Sequence, residues 1–560
     1  MDDVDAVQAQ IARTMLESGD WVTARLDGVP YLEKAPLKYW LIASAFAVFG
    51  VHDWAARIPV ALGVILLCWV TARFGAWAFS ARAGFYAGLC LATCAGLFLF
   101  TRVLIPDVLL TLAVTLALWA FLRALDESER RPRLWAAVLA ASLAVGVLLK
   151  GLIALAAPGG AGFFYLLLTR QLWRRRTLER LRPFSGALIF LLIAAPWHVA
   201  ATLANPPYLD FTLRSEPGRY RGFFWFYFIN EHLLRFLNLR HPRDYNTVPR
   251  VQFWLLHLAW LFPWSGIFPA VARLGFKPAH RAGCARLMAL CWAGFLLLFL
   301  SFSTTQEYYS MPLYPALALL VGCAMAEGGR LVRFGVKLAG GVAAAGAALA
   351  ILLLIRVWDV PTPGDISTAL TLNPEVYTLS LGHMRDLTLD SLAYLRAPLA
   401  LAALAFLAGA AGALALRPAR ALLAPAAMMV ILLHAARLAM VSFDPYLSSR
   451  PLAEALRRAP PGRLVVDNQY YAFSSVFFYT NREALLLNGR VTNLEYGSYA
   501  PGAPQVFIDD AAFAHLWSRA ERCYLTAEDT ALPRLENLVG RERLRRAAWA
   551  GGKGLYTNLN

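Results

Sequence analysis

Twelve stretches of the chain are long and apolar enough to cross a bilayer as helices. A backbone in lipid must satisfy its own hydrogen bonds, so these stretches dictate a bundle of membrane helices. They run over residues 56–79, 83–104, 106–125, 134–150, 151–168, 184–204, 251–272, 285–302, 311–328, 333–357, 397–416 and 419–440. A further run, 37–50, is too short to span and reads as an interfacial helix. Composition agrees: 59% of the 560 residues are hydrophobic and 16% charged, where soluble chains carry about a quarter charged.

The connections set the orientation. The basic segments RALDESERRPRL (123–134), TRQLWRRRTLERLRPF (169–184), RLGFKPAHRAGCAR (273–286) and RPAR (417–420) all fall on one side, which the positive-inside rule makes cytoplasmic. Opposite them lie 1–55, the Pro106-Asp107 turn, 205–250, 302–310 and 358–396, which carry the acids. This asymmetry accounts for much of the +17 net charge without nucleic acid. With twelve spans both ends of the chain are external. The start, MDDVDAVQAQIARTMLESGDW, is acidic and then amphipathic, unlike a secretory leader. The seven cysteines form no CxxC pair, so neither a disulfide framework nor a cysteine-held metal is expected.

Three regions follow: external interfacial helices and loops over 1–55, a membrane domain over 56–440 with external loops 205–250 and 358–396, and a tail over 441–560. In the tail RLVVDN, NREALLLNG, VFIDDAAFAHLWSRA and RCYLTAED alternate strand and helix signals, which predicts a small external α/β domain.

Five external places carry polar groups, each with two readings. Asp2, Asp3 and Asp5 suit the positive end of a helix as solvated acids, or supply a carboxylate that takes a proton. Asp107 caps the next helix, or joins Arg102 in an ionisable pair at the edge of an apolar run. Lys150 snorkels to the interface, or meets a phosphate as a point charge. In FYFINEHLLRFLN, Glu231, Arg235 and Asn238 are spaced to share a helix face, as a salt bridge or as part of a site. SFSTTQEYYSMPLYP offers Gln306, Glu307, Tyr308 and Tyr309 in a short polar turn. Acids, cations and hydroxyl-bearing aromatics on one external face suit a reaction between a lipid-borne phosphate and something arriving from outside. With no P-loop or kinase-type glycine loop, ATP is not an expected direct substrate.

The ordered motifs IARTMLESGDWVTARLDGVPYLEKAPLKYWL, WAARIPVAL, LIPDVLLTL, LLKGLIALAAPG, FYFINEHLLRF, FPWSGIFP and YYSMPLYPALALL resemble the phospholipid-carrier-dependent glycosyltransferases. These include the bacterial aminoarabinose transferases acting on lipid A and, more distantly, the protein O-mannosyltransferases. The resemblance implies a GT-C fold with the active site built from external loops and interfacial helices, and transfer of a sugar from a polyprenyl phosphate with inversion. It implies Asp5 as the favoured general base: counting back from IARTML puts Val4 at the family's aspartate and Asp5 at its glutamate, and a one-residue shift makes Asp3 the rival. Asp107 matches the family's second catalytic acid. Glu33 and Lys34 match its Glu-Lys-Pro motif, with Ala35 for the proline. Lys150 matches its Lys-Gly turn, and Glu231, His232 and Arg235 its Glu-His motif. Tyr309 is kept from the Lys-Leu-Pro-x-Tyr turn, but Thr305 stands where the lysine is expected. The family's first membrane helix is missing, so a truncated start and weak membrane integration of 1–55 are expected.

The expected protein is thus a multi-pass bacterial inner-membrane transferase with its site and tail in the periplasm. Its donor is a polyprenyl-phosphate-linked sugar and its acceptor is lipid A, a protein hydroxyl or another glycan. A divalent cation is compatible with converging acids and phosphate, but no ligand set is legible. A secondary transporter or lipid flippase is the alternative; a transporter should show inverted repeats and midplane charges, and neither is seen.

Overall fold

A computed structural model describes residues 1–241, 248–303, 306–371 and 382–559. Among the described residues nine helices are long and apolar enough to cross a membrane: Asp53–Ala78, Asp107–Leu125, Pro132–Lys150, Arg175–Ala204, Arg281–Leu300, Glu307–Glu327, Arg330–Val357, Asp390–Ala415 and Pro418–Leu447. Two of the expected windows are instead broken. Ala81–Ala92 meets Ala95–Thr101 at 50°, and Arg250–Trp260 meets Trp264–Val271 at 96°. The two breaks face each other: Ala95 N–H donates to the Phe262 carbonyl at 3.2 Å, and the Trp264 indole donates to the Thr93 hydroxyl at 3.0 Å. The first bond joins two backbone groups that the breaks free, which is how broken helices persist in lipid, and the second ties the two breaks together through side chains. The window at 151–168 is a helix, Ile153–Leu168, of 16 residues. At 1.5 Å per residue it is about 24 Å long, short of the ~30 Å hydrocarbon core. The count by length is therefore nine, or up to eleven with the bent pairs, rather than twelve.

The helices pack through small residues. A Cβ on Gly84 would lie 2.3 Å from the Ala72 carbonyl, so the two helices there touch backbone to backbone.

The first 55 residues are more deeply built in than expected. Helices α1 (Asp3–Ser18), α2 (Leu37–Phe49) and α3 (Asp53–Ala78) are joined by the hairpin β1 (Arg25–Leu26) and β2 (Val29–Pro30). The α1 residues Ala6, Val7, Ala9, Ile11, Ala12 and Met15 are buried against α2 and the tail helix Ser474–Thr480. The amphipathic period thus faces protein rather than solvent. The acids at its start are not solvated either: Asp5 is 0% exposed and Asp3 6%.

The tail holds β3 (Arg463–Asp467), β4 (Ala484–Leu487), β5 (Phe507–Ile508), β6 (Cys523–Glu528), β7 (Arg545–Ala550) and β8 (Lys553–Thr557). They form one sheet in the order β5-β4-β3-β6-β8-β7, parallel from β5 to β6 and antiparallel beyond. The first four strands fall within the segments read from sequence. The β7–β8 hairpin was not read, although its turn is Gly551-Gly552 with both φ positive (61° and 74°), a pairing suited to tight hairpins.

Candidate active site

Four elements bring ionisable groups together where α1, α2 and the loops meet. Asp2 caps α1, its Oδ1 accepting the Asp5 N–H at 2.9 Å. One turn in, Asp5 is fully committed: Oδ2 pairs with Arg57 at 2.5 Å and Oδ1 accepts the Leu104 N–H at 2.6 Å. Arg57 also donates to the Arg102 carbonyl. Burial, reinforced by the Asp5 charge, pushes the Asp2 carboxyl up to about 7.

Asp107 starts the Asp107–Leu125 helix and Lys150 ends the Pro132–Lys150 helix, so each charge sits at the dipole end that favours it. They meet at 2.5 Å through Asp107 Oδ1, while the buried Oδ2 has no hydrogen-bond partner among the described residues. The Lys150 ammonium lies 4.9 Å from the Tyr308 ring and 4.7 Å from that of Tyr309, a cation–π arrangement.

The segment FYFINEHLL adopts a π-helix, Trp225–Leu234, a geometry that recurs at functional sites. It carries Glu231 between Arg240 (2.5 Å) and Arg235 (3.1 Å), and Arg235 donates to the Tyr309 hydroxyl at 3.1 Å. Burial alone would raise the Glu231 carboxyl, but the two guanidiniums hold it below its usual value. Asn238 does not share that face: it lies beyond the helix with φ 58°, exposed. His232 donates its Nδ1–H to the Tyr227 carbonyl at 2.5 Å, and burial depresses its basicity. Its other nitrogen lies against Gly151, where a Cβ would come within 2.0 Å.

Glu33 and Lys34 lie 3.4 Å apart, and the Tyr31 hydroxyl donates to Glu33 at 3.2 Å. Burial raises the Glu33 carboxyl and outweighs Lys34, with Glu231 adding to the rise. Glu33, Lys34, Glu231, Arg235 and Tyr309 therefore form one electrostatic neighbourhood, next to Lys150 and Asp107. Thr305, where a lysine was expected, lies outside the described residues.

Asp3 is placed elsewhere. Its carboxylate accepts from Ser449 (2.9 Å), the Ser475 N–H (2.8 Å) and Lys553 (2.7 Å), all in the tail. Two positions apart on one helix, Asp3 and Asp5 point to opposite sides, so only one can face the cluster. The rival base is thus a tether to the tail. Sequence reading also missed Arg57, Arg240, Tyr31 and Lys38. The first and last carried a signal, being charges in the opening turn of apolar helices. Among the described residues no three His, Cys, Asp or Glu side chains converge to hold a metal ion.

Set against solved structures, the chain matches the crystal structure of ArnT from Cupriavidus metallidurans bound to undecaprenyl phosphate. The TM-score is 0.78 at 24% identity, covering 99% of this chain and 93% of that one. The chain has the GT-C fold. The apo form of the same ArnT agrees, with a TM-score of 0.75. The GT-C chain is also similar in sequence to the undecaprenyl phosphate-alpha-4-amino-4-deoxy-L-arabinose arabinosyl transferase of Pseudomonas paraeruginosa. They are 32% identical over 332 residues, 57% of this chain and 54% of that protein. The Aeromonas salmonicida protein of the same name is 28% identical over 332 residues. The chain spans about half the length of the curated relatives it matches. Residues 33–199 match the family described as dolichyl-phosphate-mannose-protein mannosyltransferase. The resemblance to carrier-dependent glycosyltransferases is borne out as a similarity, and the protein is a multi-pass membrane protein.

Proposed function

We propose that the protein is a membrane glycosyltransferase that moves a sugar from a polyprenyl phosphate to an acceptor hydroxyl, with inversion, at the periplasmic face. The observation that carries this is Asp107: a buried carboxylate with one oxygen on Lys150 and the other open, beside cations suited to a phosphate. The periplasmic orientation rests on the basic connections at the opposite end of the helices.

In this reading Lys34 and Arg235 hold the carrier phosphate, and Glu33, Glu231, His232 and Tyr309 keep them in place. The acceptor O–H gives its proton to Asp107 and its oxygen attacks the anomeric carbon. The bond from that carbon to the phosphate oxygen breaks on the far face, its electron pair staying on the phosphate. Asp5, locked by Arg57 and Leu104, holds the base of α1 against this centre. Removing one preorganised charge of this kind costs about 10²–10³ in rate. The similarity to aminoarabinose transferases favours lipid A as acceptor; the mannosyltransferase match keeps a protein hydroxyl as the second reading.

The experiment is transfer of radiolabelled sugar from undecaprenyl phosphate in membranes, with mass spectrometry of lipid A and envelope glycoproteins. A labelled acceptor that disappears in Asp107→Asn supports the reading. Uptake into sealed vesicles without covalent product would replace it with transport.

A further inference from the structure

Lys38 lies in the first turn of α2 and is 3% exposed. Its ammonium donates to Gln8 Oε1 at 2.5 Å, an oxygen that also accepts from the Tyr39 hydroxyl at 3.1 Å. An ammonium carries three donors, and no second acceptor for it is found among the described residues. Nor does it have a carboxylate within ion-pair distance there. Lys34, Lys150, Arg57, Arg235 and Arg240 each have one. The ammonium also lies 4.5 Å from the centre of the Tyr39 ring, a cation–π contact that brings no counter-charge. A buried cation without a counter-ion among the described residues is costly, and is kept chiefly where it has a use. It also sits at the positive end of α2, which disfavours a cation there and favours an anion.

We propose that Lys38 is a phosphate-side cation of the transfer centre, donating to an oxyanion of the carrier phosphate while Gln8 holds its stem in place. This rests on the glycosyltransferase reading above. The groups around Lys38 fit the role. Burial, then Lys34 and least Lys150, push its ammonium down to about 7, while Asp107 and Asp5 pull the other way. All four acids and bases near it thus belong to the same centre, and the two acids are already neutralised by Lys150 and Arg57. An arriving phosphate supplies the negative charge that the protein leaves out. Charge developing on the leaving oxygen as the glycosyl bond breaks then finds a donor already desolvated, where such a contact counts most. The same chemistry could be offered by a phosphate on the acceptor, and the measurements separate the two.

The test uses the full chain in nanodiscs, titrated with undecaprenyl phosphate and with undecaprenol, followed by tryptophan fluorescence. Lys38→Met should weaken undecaprenyl phosphate binding by about 10–100-fold, the usual range for a charge-assisted hydrogen bond. It should leave undecaprenol binding unchanged, and Lys38→Arg should recover most of the loss. Unchanged undecaprenyl phosphate binding in Lys38→Met overturns the assignment, as does an equal loss for undecaprenol, which would mark a packing role. A raised KM for the acceptor with donor binding intact would also overturn it, moving Lys38 to an acceptor phosphate. If the wild type binds undecaprenyl phosphate but transfers no sugar, the transferase reading falls and the Lys38 contact stands. If it binds no undecaprenyl phosphate, both fall.

Discussion

Asp107 and Lys150 meet at 2.5 Å across two helix ends, and the pairing uses one carboxylate oxygen while the other stays buried without a partner among the described residues. A carboxylate in that state is anchored and still able to accept. Asp107→Asn keeps the shape and removes the charge. We expect transfer to drop about 10²–10³-fold with little change in membrane insertion. The check is single-turnover transfer alongside a folding assay.

Asp3 should behave differently from Asp107. Its carboxylate binds Lys553, Ser449 and the Ser475 N–H, so Asp3→Ala takes the counter-charge from the part-buried Lys553 ammonium and weakens the hold of the tail on α1. Breaking a buried pair at one partner costs about 3–5 kcal/mol. The expected result is a lower melting temperature and faster proteolysis within 441–560. Residual transfer should scale with the folded fraction; a folded but inactive Asp3→Asn would return Asp3 to the reaction.

A pH dependence follows from Asp27 in the β1–β2 turn. Oδ1 accepts the Ala484 N–H at 3.3 Å, and Oδ2 is buried without a partner. Burial outweighs that hydrogen bond and, with Glu483, pushes the carboxyl from 3.8 to about 7. Between those values the folded state binds more protons than the unfolded one. Stability from this group therefore falls as pH rises from about 4 to about 7 and is flat above. Asp27→Asn, which tolerates the turn's φ of 50°, should remove that slope in thermal melts across pH 4–9.

Gly151 combines a φ of 71° with a neighbour that leaves no room, since a Cβ would lie 2.0 Å from the His232 ring. Gly151→Ala should therefore both strain the backbone and displace His232. We expect a loss of transfer larger than that of His232→Ala, because the strained turn also carries Lys150. Equal losses in the two variants would show that Lys150 is held independently of its turn.

The membrane helices were legible because lipid imposes length and hydropathy on every span, Asp107 and Lys150 because they sit at the ends of such spans, and Glu231 because Arg235 follows it by one helical turn. The breaks at Thr93–Cys94 and Phe262–Pro263 were not, because each depends on a partner far along the chain. Asp3 and Asp5 could not be told apart either. Their roles follow from which side of α1 meets Lys553 and which meets Arg57, a choice that composition does not record. Lys38 stands out only in three dimensions, where among the described residues no carboxylate lies within ion-pair distance of it.

The Tyr31 hydroxyl lies 2.8 Å from that of Tyr471 while it donates to Glu33. A tail residue is thus two hydrogen bonds away from Glu33 of the proposed phosphate site. Tails of this kind cannot be exchanged between related proteins as cassettes: a working chimera has to bring residues 1–36 together with 441–560. The two segments should therefore diverge in step, and the selectivity of one enzyme would be inherited only with both.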